Sequence, residues 1–359
     1  MNNEMNSDVA TATKPSWQVR QFGELSDGRE VEAYLLKGTG GLQVEILTLG
    51  GIVSRILMPD RHGHVADVAL GFSTIEEYLR EPHYFGAITG RVAGRIGGGE
   101  IVVEGVRYTL ALNNKANHLH GGNVGLDRRL WSAKPSVQED AVVLVLRYCS
   151  ADGEEGYPGN VDFTVTYRLT GNNELIFTTE ARTDKSTPIS LTNHSYFNLA
   201  GEGSGTIDEH WISVQSNEIA VMDANLTLQG RLAPVAGQAC DLRQAKKMGD
   251  IIDGLFLNHG DTYRVNGDID SIVATVQHPP SGRMLTVQTS CPYLQFYTAK
   301  HFDGSRSGKS GQPYLKYGGF CLECEGYAEG LRYPELGDIL VRPDRPQCYS
   351  TIYRFGITR

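Results

Sequence analysis

Apolar and polar residues alternate along many short stretches of this chain, which is the pattern of β-strands with one buried face. Two pairs of such stretches surround short turns: "GEIVVEGVRYTLALNN" turns at Glu104-Gly105, and "VDFTVTYRLTGNNELIFTTEART" turns at Gly171 to Asn173. Both predict β-hairpins. Further strand-like runs are "AVVLVLRYCS", "HWISVQS", "SIVATVQH", "RMLTVQTS", "YLQFYTAK", "FCLECE" and "STIYRFGI". Many short strands separated by turns predict a sandwich or barrel, not a parallel α/β sheet.

Two stretches have a helical pattern. In "STIEEYLRE", Ser73 precedes Glu76 by three residues, and Thr74 precedes Glu77 by the same interval, which is the spacing of a capping box. The second stretch is "DLRQAKKMGD". The sequence therefore predicts few and short helices.

Length and composition favour one domain. The 359 residues show no internal repeat of fixed period, and no linker rich in proline or serine separates two regimes of composition. We expect a disordered N-terminal tail over residues 1–16 and a single β-sandwich domain over residues 17–359.

The charge balance excludes one class of partner. Lysine and arginine number 33 against 42 aspartates and glutamates, a formal net charge of −9, and no long basic cluster occurs. A nucleic-acid partner is therefore not expected. The chain also has no apolar run of membrane-spanning length, and its first residues lack the apolar core of a secretory signal. These absences predict a soluble cytoplasmic protein with no membrane partner.

Six cysteines are scattered along the chain, which is not the pattern of a small disulfide scaffold, so free thiols are expected. Cys321 and Cys324 form a CxxC pair. A structural zinc site usually needs a second such pair, and redox chemistry of the thioredoxin type needs a βαβ context, which is missing here.

The stretch "LTNHSYFNL" carries polar residues where a strand normally carries packing residues. In an extended strand His194 and Tyr196 would point the same way. The polar groups either satisfy one another inside a core or line a pocket for a ligand that is equally rich in hydrogen bonds.

The stretch "NHLHGG" places His118 and His120 two residues apart, so on a strand both would face the same way. With His194 as a third ligand they would form the three-histidine metal site of a β-barrel enzyme. Gly121-Gly122-Asn123-Val124 follows where such a site usually has a glutamate. We therefore predict no metal and keep the metal-dependent enzyme as the rival hypothesis.

Two further groups are candidates for chemistry. Arg95 lies in "GRVAGRIGGG", where glycines can bring the backbone close to a ligand, although they could equally form turns. Glu323 lies between Leu322 and Cys324, so in a strand it could point inward, where desolvation would raise its pKa and suit a general base. An outward, solvated Glu323 is the alternative.

Taken together, the motifs resemble the aldose 1-epimerase (galactose mutarotase) family from about Gly41 to Ile357. The resemblance rests on their order and spacing: "YFGAITGRVAGRI", "NHLHGG", "LTNHSYFNLAG", "LQFYT" and "GFCLE". It implies an all-β fold, a large antiparallel β-sandwich of the galactose mutarotase-like supersandwich type, with a sugar-binding cleft across one sheet.

The resemblance also assigns roles to residues. It implies that Glu323 is the catalytic base and His194 the catalytic acid of a reaction that opens and recloses a sugar ring without any cofactor. It further implies that five residues hold the sugar hydroxyls: Arg95, His120, Tyr196, Asp261 and Gln295.

Three positions depart from the family pattern. Gly94 stands where the family usually has asparagine before the arginine. Asp261-Thr262 stands where the family tends to have Asp-His, and Asn258-His259 is a competing match. Cys324-Glu325 follows the base in place of the usual Thr-Gln.

The expected function is interconversion of the α and β anomers of a free aldose such as galactose or glucose. A protein that binds or senses sugar without turnover is one alternative. An epimerase of phosphorylated hexoses is another, and it would need a cationic pocket, with Arg91 or Lys300 as further candidates beside Arg95.

Overall fold

The computed structural model describes residues 14–80, 83–255 and 260–358. In the described part, strands dominate, and the predicted all-β class is confirmed. The strands in chain order are β1 Ser16–Glu24, β2 Glu30–Lys37, β3 Gln43–Leu47, β4 Val53–Pro59, β5 Val65–Asp67, β6 Ile88–Thr89, β7 Arg95–Gly97, β8 Glu100–Val103, β9 Val106–Thr109, β10 Asn117–Leu119, β11 Ser132–Val137, β12 Ala141–Ser150, β13 Val161–Thr170, β14 Glu174–Thr183, β15 Thr187–Pro188, β16 Thr192–Asn193, β17 Trp211–Val214, β18 Glu218–Met222, β19 Leu228–Pro234, β20 Lys246–Lys247, β21 Asp261–Arg264, β22 Ile272–His278, β23 Arg283–Thr289, β24 Tyr293–Tyr297, β25 Cys321–Glu325, β26 Leu340–Val341 and β27 Gln347–Ile357.

The helical elements are short. Within the described ranges they are α1 Ile75–Arg80, α2 Met248–Ile251, and 3₁₀ turns at Leu126–Arg128, Glu154–Gly156, Ile252–Gly254 and Pro334–Leu336.

The largest sheet has nine antiparallel strands in the order β11-β12-β13-β14-β27-β23-β22-β17-β20. The two hairpins read from the sequence are present: β8 pairs with β9, and β13 pairs with β14 inside the large sheet. Strand β27 is paired on both sides, with β14 and with β23. It therefore joins two groups of strands into one sheet.

Two five-stranded sheets pack with the large one, β1 to β5 in sequence order and β19-β18-β21-β24-β25. One cluster of buried apolar side chains contains members of all three sheets, among them Ile46, Val165 and Leu322. Burial of this shared cluster is the main driving force that holds the sheets together.

The first predicted helix is confirmed, and its capping box forms at the second of the two candidate positions. The backbone N–H of Thr74 donates to Glu77 Oε2 at 3.1 Å, and the Glu77 N–H donates to Thr74 Oγ1 at 3.4 Å. These bonds satisfy donors that the first turn of a helix leaves unpaired.

The second predicted helix is wrong over most of its length. Residues 241–245 are not helical, and Lys246–Lys247 pairs as a short strand with Ile212 and Trp211 before the four-residue helix α2. The carbonyl of Leu242 accepts a hydrogen bond from the Val214 N–H. Pairing with the edge of the large sheet has overridden the local helix propensity here.

No helix in the described ranges is long and apolar enough to cross a membrane. The cytoplasmic location stays a prediction. Residues 1–13 of the tail lie outside the described residues, and Ser16 already begins β1. All six cysteines are free, as expected.

Candidate active site

Strand β25 presents two glutamates to one cavity. Side chains alternate along a strand, so Cys321, Glu323 and Glu325 share one face while Leu322 and Cys324 pack into the main core. Of the two orientations left open for Glu323, the inward one is observed: the residue is 3% exposed.

The neighbouring strand β24 continues this polar face. Gln295 lies directly opposite Glu323 in the antiparallel register. The Gln295 Nε2 donates to the Phe296 carbonyl at 2.9 Å, and its Oε1 accepts a hydrogen bond from the Thr262 hydroxyl. These two bonds hold the amide in place beside the glutamate.

His194 approaches Glu323 from a different part of the chain. It follows the two-residue strand β16, and its backbone is fixed by hydrogen bonds to Ala87 and Gly86. Its Nε2 lies 3.5 Å from Glu323 Oε2, and its Nδ1 lies 3.7 Å from Cys321 Sγ. Both side chains are almost fully buried, with 6% of His194 and 4% of Glu323 exposed.

The polar residues around His194 do both of the things expected of them: those on one face line the cavity, and those on the other face hydrogen-bond to one another inside the core. His194 and Tyr196 line the cavity, with ring centroids 5.0 Å apart. On the other face, Asn193 donates to the Gly86 carbonyl and accepts from the Ser195 hydroxyl, inside the core.

His120 reaches the cavity in a way that the sequence pattern does not predict. Strand β10 ends at Leu119, and His120 has a positive φ of 51°, which turns its side chain away from the strand direction. The Gly94 N–H donates to His120 Nδ1 at 3.2 Å. A neutral His120 therefore carries its proton on Nε2 and can donate from there.

The expectation that His118 and His120 face the same way is wrong. His118 points into the protein interior, where Nδ1 contacts the Ala111 carbonyl at 2.8 Å and Nε2 contacts the Tyr157 hydroxyl at 2.7 Å. Both of its ring nitrogens are engaged. The two histidines diverge because the regular strand stops between them.

Arg95 supplies a cation to the cavity. It opens β7, which pairs with β10, and its Nε donates to Asn114 Oδ1 at 3.1 Å. Burial lowers the pKa of Arg95, and the charge of Glu323 opposes that shift. Since arginine pKa values lie far above neutral, the guanidinium stays charged.

Burial dominates the protonation of the site. It raises the pKa of Glu323 well above its ordinary value, with the charge of Glu325 adding to the effect and Arg95 opposing it. It raises the pKa of Glu325 to about 8. Conversely, burial lowers the pKa of His194 to about 4, and lowers that of His120 well below its ordinary value. The cavity thus favours neutral forms of acids and bases alike.

These groups surround a cavity of about 420 Å³, within the range of small-molecule sites. Six of the seven residues predicted from the sequence line it: Arg95, His120, His194, Tyr196, Gln295 and Glu323. They come from five separated segments of the chain, which the fold brings together.

Asp261 is placed differently. In the register of β21 with β24 it lies opposite Phe296, whereas its neighbour Thr262 lies opposite Gln295. Alternation therefore turns Asp261 to the side of Tyr263 and the core, and it is not among the lining residues of the cavity. Its role in sugar binding stays a prediction that this placement does not favour. The competing match, Asn258-His259, lies outside the described residues.

Several lining residues were not singled out from the sequence. Tyr84, at a positive φ of 59°, stacks on His194 with ring centroids 5.9 Å apart, and Tyr297 and Asn114 also line the cavity. Tyr297 follows from the alternation of β24 with Gln295. Tyr84 carries no such signal, because its orientation depends on a left-handed backbone.

A group that could hold a metal ion exists among the described residues, but it differs from the three-histidine hypothesis. His120, His194 and Glu323 offer ligand atoms within 4.8 Å of one another. Glu323 takes the place that the hypothesis gave to His118. Histidine nitrogen with carboxylate oxygen is a donor set that zinc accepts.

Comparison with known proteins agrees with this geometry. Residues 32–354 match the family model described as aldose 1-epimerase. The chain is 40% identical over 339 residues to galactose mutarotase of Homo sapiens, covering 94% of this chain and 97% of that protein. It is 31% identical over 342 residues to aldose 1-epimerase of Escherichia coli K12, covering 92% and 96%. The crystal structure of galactose 1-epimerase from Lactobacillus acidophilus superposes with a TM-score of 0.83 at 26% identity, covering 96% and 99%. The chain therefore belongs to the aldose 1-epimerase family.

Proposed function

We propose that this protein interconverts the α and β anomers of free aldohexoses such as galactose and glucose. The observation that carries the proposal is the pair of Glu323 and His194, 3.5 Å apart and buried in one cavity of polar side chains. A carboxyl group and an imidazole at this distance can exchange protons with two oxygens of a bound sugar.

The reaction opens and recloses the sugar ring. Glu323 removes the proton of the anomeric hydroxyl while His194 donates a proton to the ring oxygen, so that the bond between C1 and the ring oxygen breaks and an aldehyde forms. Rotation about the C1–C2 bond exposes the other face of the carbonyl. His194 then takes the proton back from the attacking hydroxyl, and Glu323 returns its proton to the carbonyl oxygen.

The pair must hold one proton in total for this cycle to run. The raised pKa of Glu323 and the lowered pKa of His194 place that proton on the carboxyl group of the free protein. The reactive arrangement, carboxylate with imidazolium, is a higher-energy form of the same singly protonated pair. Arg95 stabilises it by interacting with the carboxylate charge.

Other lining residues fit sugar binding. Arg95 and the Nε2–H of His120 can donate to sugar hydroxyls, and Gln295 and Tyr196 add polar groups on neighbouring sides. Tyr84 offers an aromatic face. A neutral aldose brings no charge into this buried site and therefore costs less to desolvate than a charged ligand.

The phosphorylated-hexose alternative loses both of the cations named for it beside Arg95, because neither Arg91 nor Lys300 is among the lining residues of the cavity. Arg91 does not line the cavity: its guanidinium donates to Ser150, to the Pro158 carbonyl and to the Ala151 carbonyl in a buried network. A phosphate would have to be held without either cation. The free aldose is therefore the better-supported substrate.

Polarimetry of freshly dissolved α-D-galactose and α-D-glucose tests the proposal. Relaxation rates above the spontaneous background are compared for wild type, Glu323→Gln and His194→Gln, each with and without EDTA. We expect fast relaxation for the wild type, unaffected by EDTA, and a loss of at least about 100-fold in each variant.

Three outcomes would contradict the proposal. Background relaxation by a wild type that still binds galactose would favour the sugar-sensing alternative. Activity lost with EDTA and restored by zinc would favour a metal-dependent reaction at His120, His194 and Glu323. Full activity of both variants would remove the two residues from the mechanism.

A further inference from the structure

A second carboxyl group faces the same cavity and takes no part in the proton transfers described above. Glu325 follows Glu323 by two residues on β25, lines the cavity, and is 5% exposed. Among the described residues, no hydrogen-bond partner lies within reach of its Oε2. A buried carboxyl oxygen without a partner is costly, so its retention needs an explanation.

The backbone opposite Glu325 leaves room for a ligand. Gly94 lines the cavity at a positive φ of 79°, and a Cβ at this position would lie 3.6 Å from Glu325 Oε1 and 3.0 Å from Ala328 Cβ. Any larger side chain at residue 94 would therefore fill the space in front of the carboxyl group. The glycine keeps that space open.

Residues two apart on a strand are separated by about 7 Å, which is roughly the span of a pyranose ring with its hydroxyl groups. When the anomeric hydroxyl lies at Glu323, Glu325 is positioned for another part of the same sugar. We propose that Glu325 is a further substrate-binding residue, whose carboxyl group hydrogen-bonds a ring hydroxyl other than the anomeric one, in the space that Gly94 leaves open. This proposal rests on the proposed function.

The chemistry of the site suits a hydroxyl partner. A carboxyl group accepts hydrogen bonds through both of its oxygens and, when protonated, donates one as well. A sugar hydroxyl also does both. The contact would satisfy the buried oxygen without bringing a new charge into the cavity.

Two substitutions of similar size isolate the hydrogen bond from packing. Glu325→Gln keeps a polar group that can donate and accept, and Glu325→Met fills the same space with an apolar side chain. We expect the KM for galactose to rise about tenfold in Glu325→Met and less than about threefold in Glu325→Gln, with kcat within about threefold of wild type in both. Thermal midpoints measured in parallel establish that both variants fold.

Deoxygenated sugars identify the contact. The ratio of KM between Glu325→Met and wild type is measured for 2-, 3-, 4- and 6-deoxy-D-galactose. We expect this ratio to fall to about one for the sugar that lacks the contacted hydroxyl and to stay high for the others. An equal ratio for all four sugars, or an unchanged KM in Glu325→Met, overturns the proposal.

Failure of the proposed function gives a different result. It would appear as a wild-type rate equal to the spontaneous background, whatever residue stands at 325. The Kd of galactose for the same variants, measured by calorimetry, then replaces KM in the comparison. A Kd that rises in Glu325→Met but not in Glu325→Gln supports the contact, and an equal Kd in all three proteins overturns it.

Discussion

At the scale of single residues, the proposed reaction requires Glu323 and His194 to hold one proton between them, and the two side chains lie 3.5 Å apart in a buried site. The pH dependence of the reaction reports the pair, since the mechanism needs one proton shared between an acid and a base.

We predict a broad bell-shaped profile of kcat/KM against pH. Below the lowered pKa of His194, about 4, the pair holds two protons and no base remains. Above the raised pKa of Glu323 the pair holds none and no acid remains. Polarimetric rates corrected for the spontaneous background at each pH measure both limbs, and an acid limb that stays near pH 4 in His194→Gln would contradict its assignment.

We predict that substitution of Glu325 shifts the alkaline limb of the kcat/KM profile. The charge of Glu325 contributes to the raised pKa of Glu323, so Glu325→Gln removes that contribution and lowers the pKa of the base. The alkaline limb should then move to lower pH while the acid limb stays. An exposed control, Glu104→Gln on the β8–β9 turn, should move neither limb; equal shifts in both variants would contradict the explanation.

The sequence predicts the chemistry of the site better than its orientations. Alternation in "FCLECE" puts Glu323 and Glu325 on the same face of a strand, but it does not decide whether that face points inward. The positive φ of Tyr84 and of His120 cannot be read from a strand pattern, because left-handed backbones depend on the contacts of the surrounding loops. The same limit applies to Asp261, whose side of the sheet depends on where β21 begins.

At the scale of elements, the loop after β10 positions His120 by close backbone contact. A Cβ at Gly121 would lie 1.7 Å from the Gly90 carbonyl oxygen, so no side chain fits there without movement of the backbone. The loop that carries His120 and the segment that begins at Gly90 and leads to Arg95 are therefore in close backbone contact.

We predict that Gly121→Ala lowers kcat/KM by at least about 100-fold, since a shift of about 1 Å in a site residue can cost that much. Gly63→Ala is the matched control: its φ of 85° is close to the 90° of Gly121, yet nothing lies within 4 Å of the added Cβ. We expect backbone strain to lower the stability of Gly63→Ala by about 1–2 kcal/mol while its activity stays at the wild-type level. Polarimetry with thermal unfolding checks both, and similar losses of activity would show that strain alone is responsible.

Elements also show where local pattern fails. The hairpins and α1 follow from alternation, turns and a capping box, which are local signals. Lys246 and Lys247 join a sheet edge instead of a helix because Trp211 and Ile212 offer them pairing partners far away in the sequence. A pattern of ten consecutive residues cannot predict pairing with a strand that is distant in the sequence.

At the scale of the whole molecule, three sheets share one apolar core, and the family and fold predicted from the sequence are confirmed by the comparisons. The division into a tail and one domain stays a prediction. A shared core makes independent unfolding of the sheets costly, because separation would expose apolar surface on each.

We therefore predict a single cooperative unfolding transition in urea. Trp131 is buried in the core cluster, whereas Trp17 and Trp211 are exposed, so a variant with Trp17→Phe and Trp211→Phe reports the core alone by fluorescence. Its midpoint should coincide with that of far-ultraviolet circular dichroism, which reports all strands. Two separated midpoints would indicate independently folding units.

The position of strand β27 has a consequence for folding during synthesis. It follows all eight other strands of the nine-stranded sheet in the sequence, yet it lies between β14 and β23. A ribosome releases the chain from its N-terminus, so β14 and β23 wait with unpaired edges until β27 emerges. Until then the two unpaired strand edges are open to pairing with other chains, which chaperone binding or rapid completion of synthesis would limit. A chain truncated before residue 347 would lack β27, and the two halves of the sheet would stay unjoined.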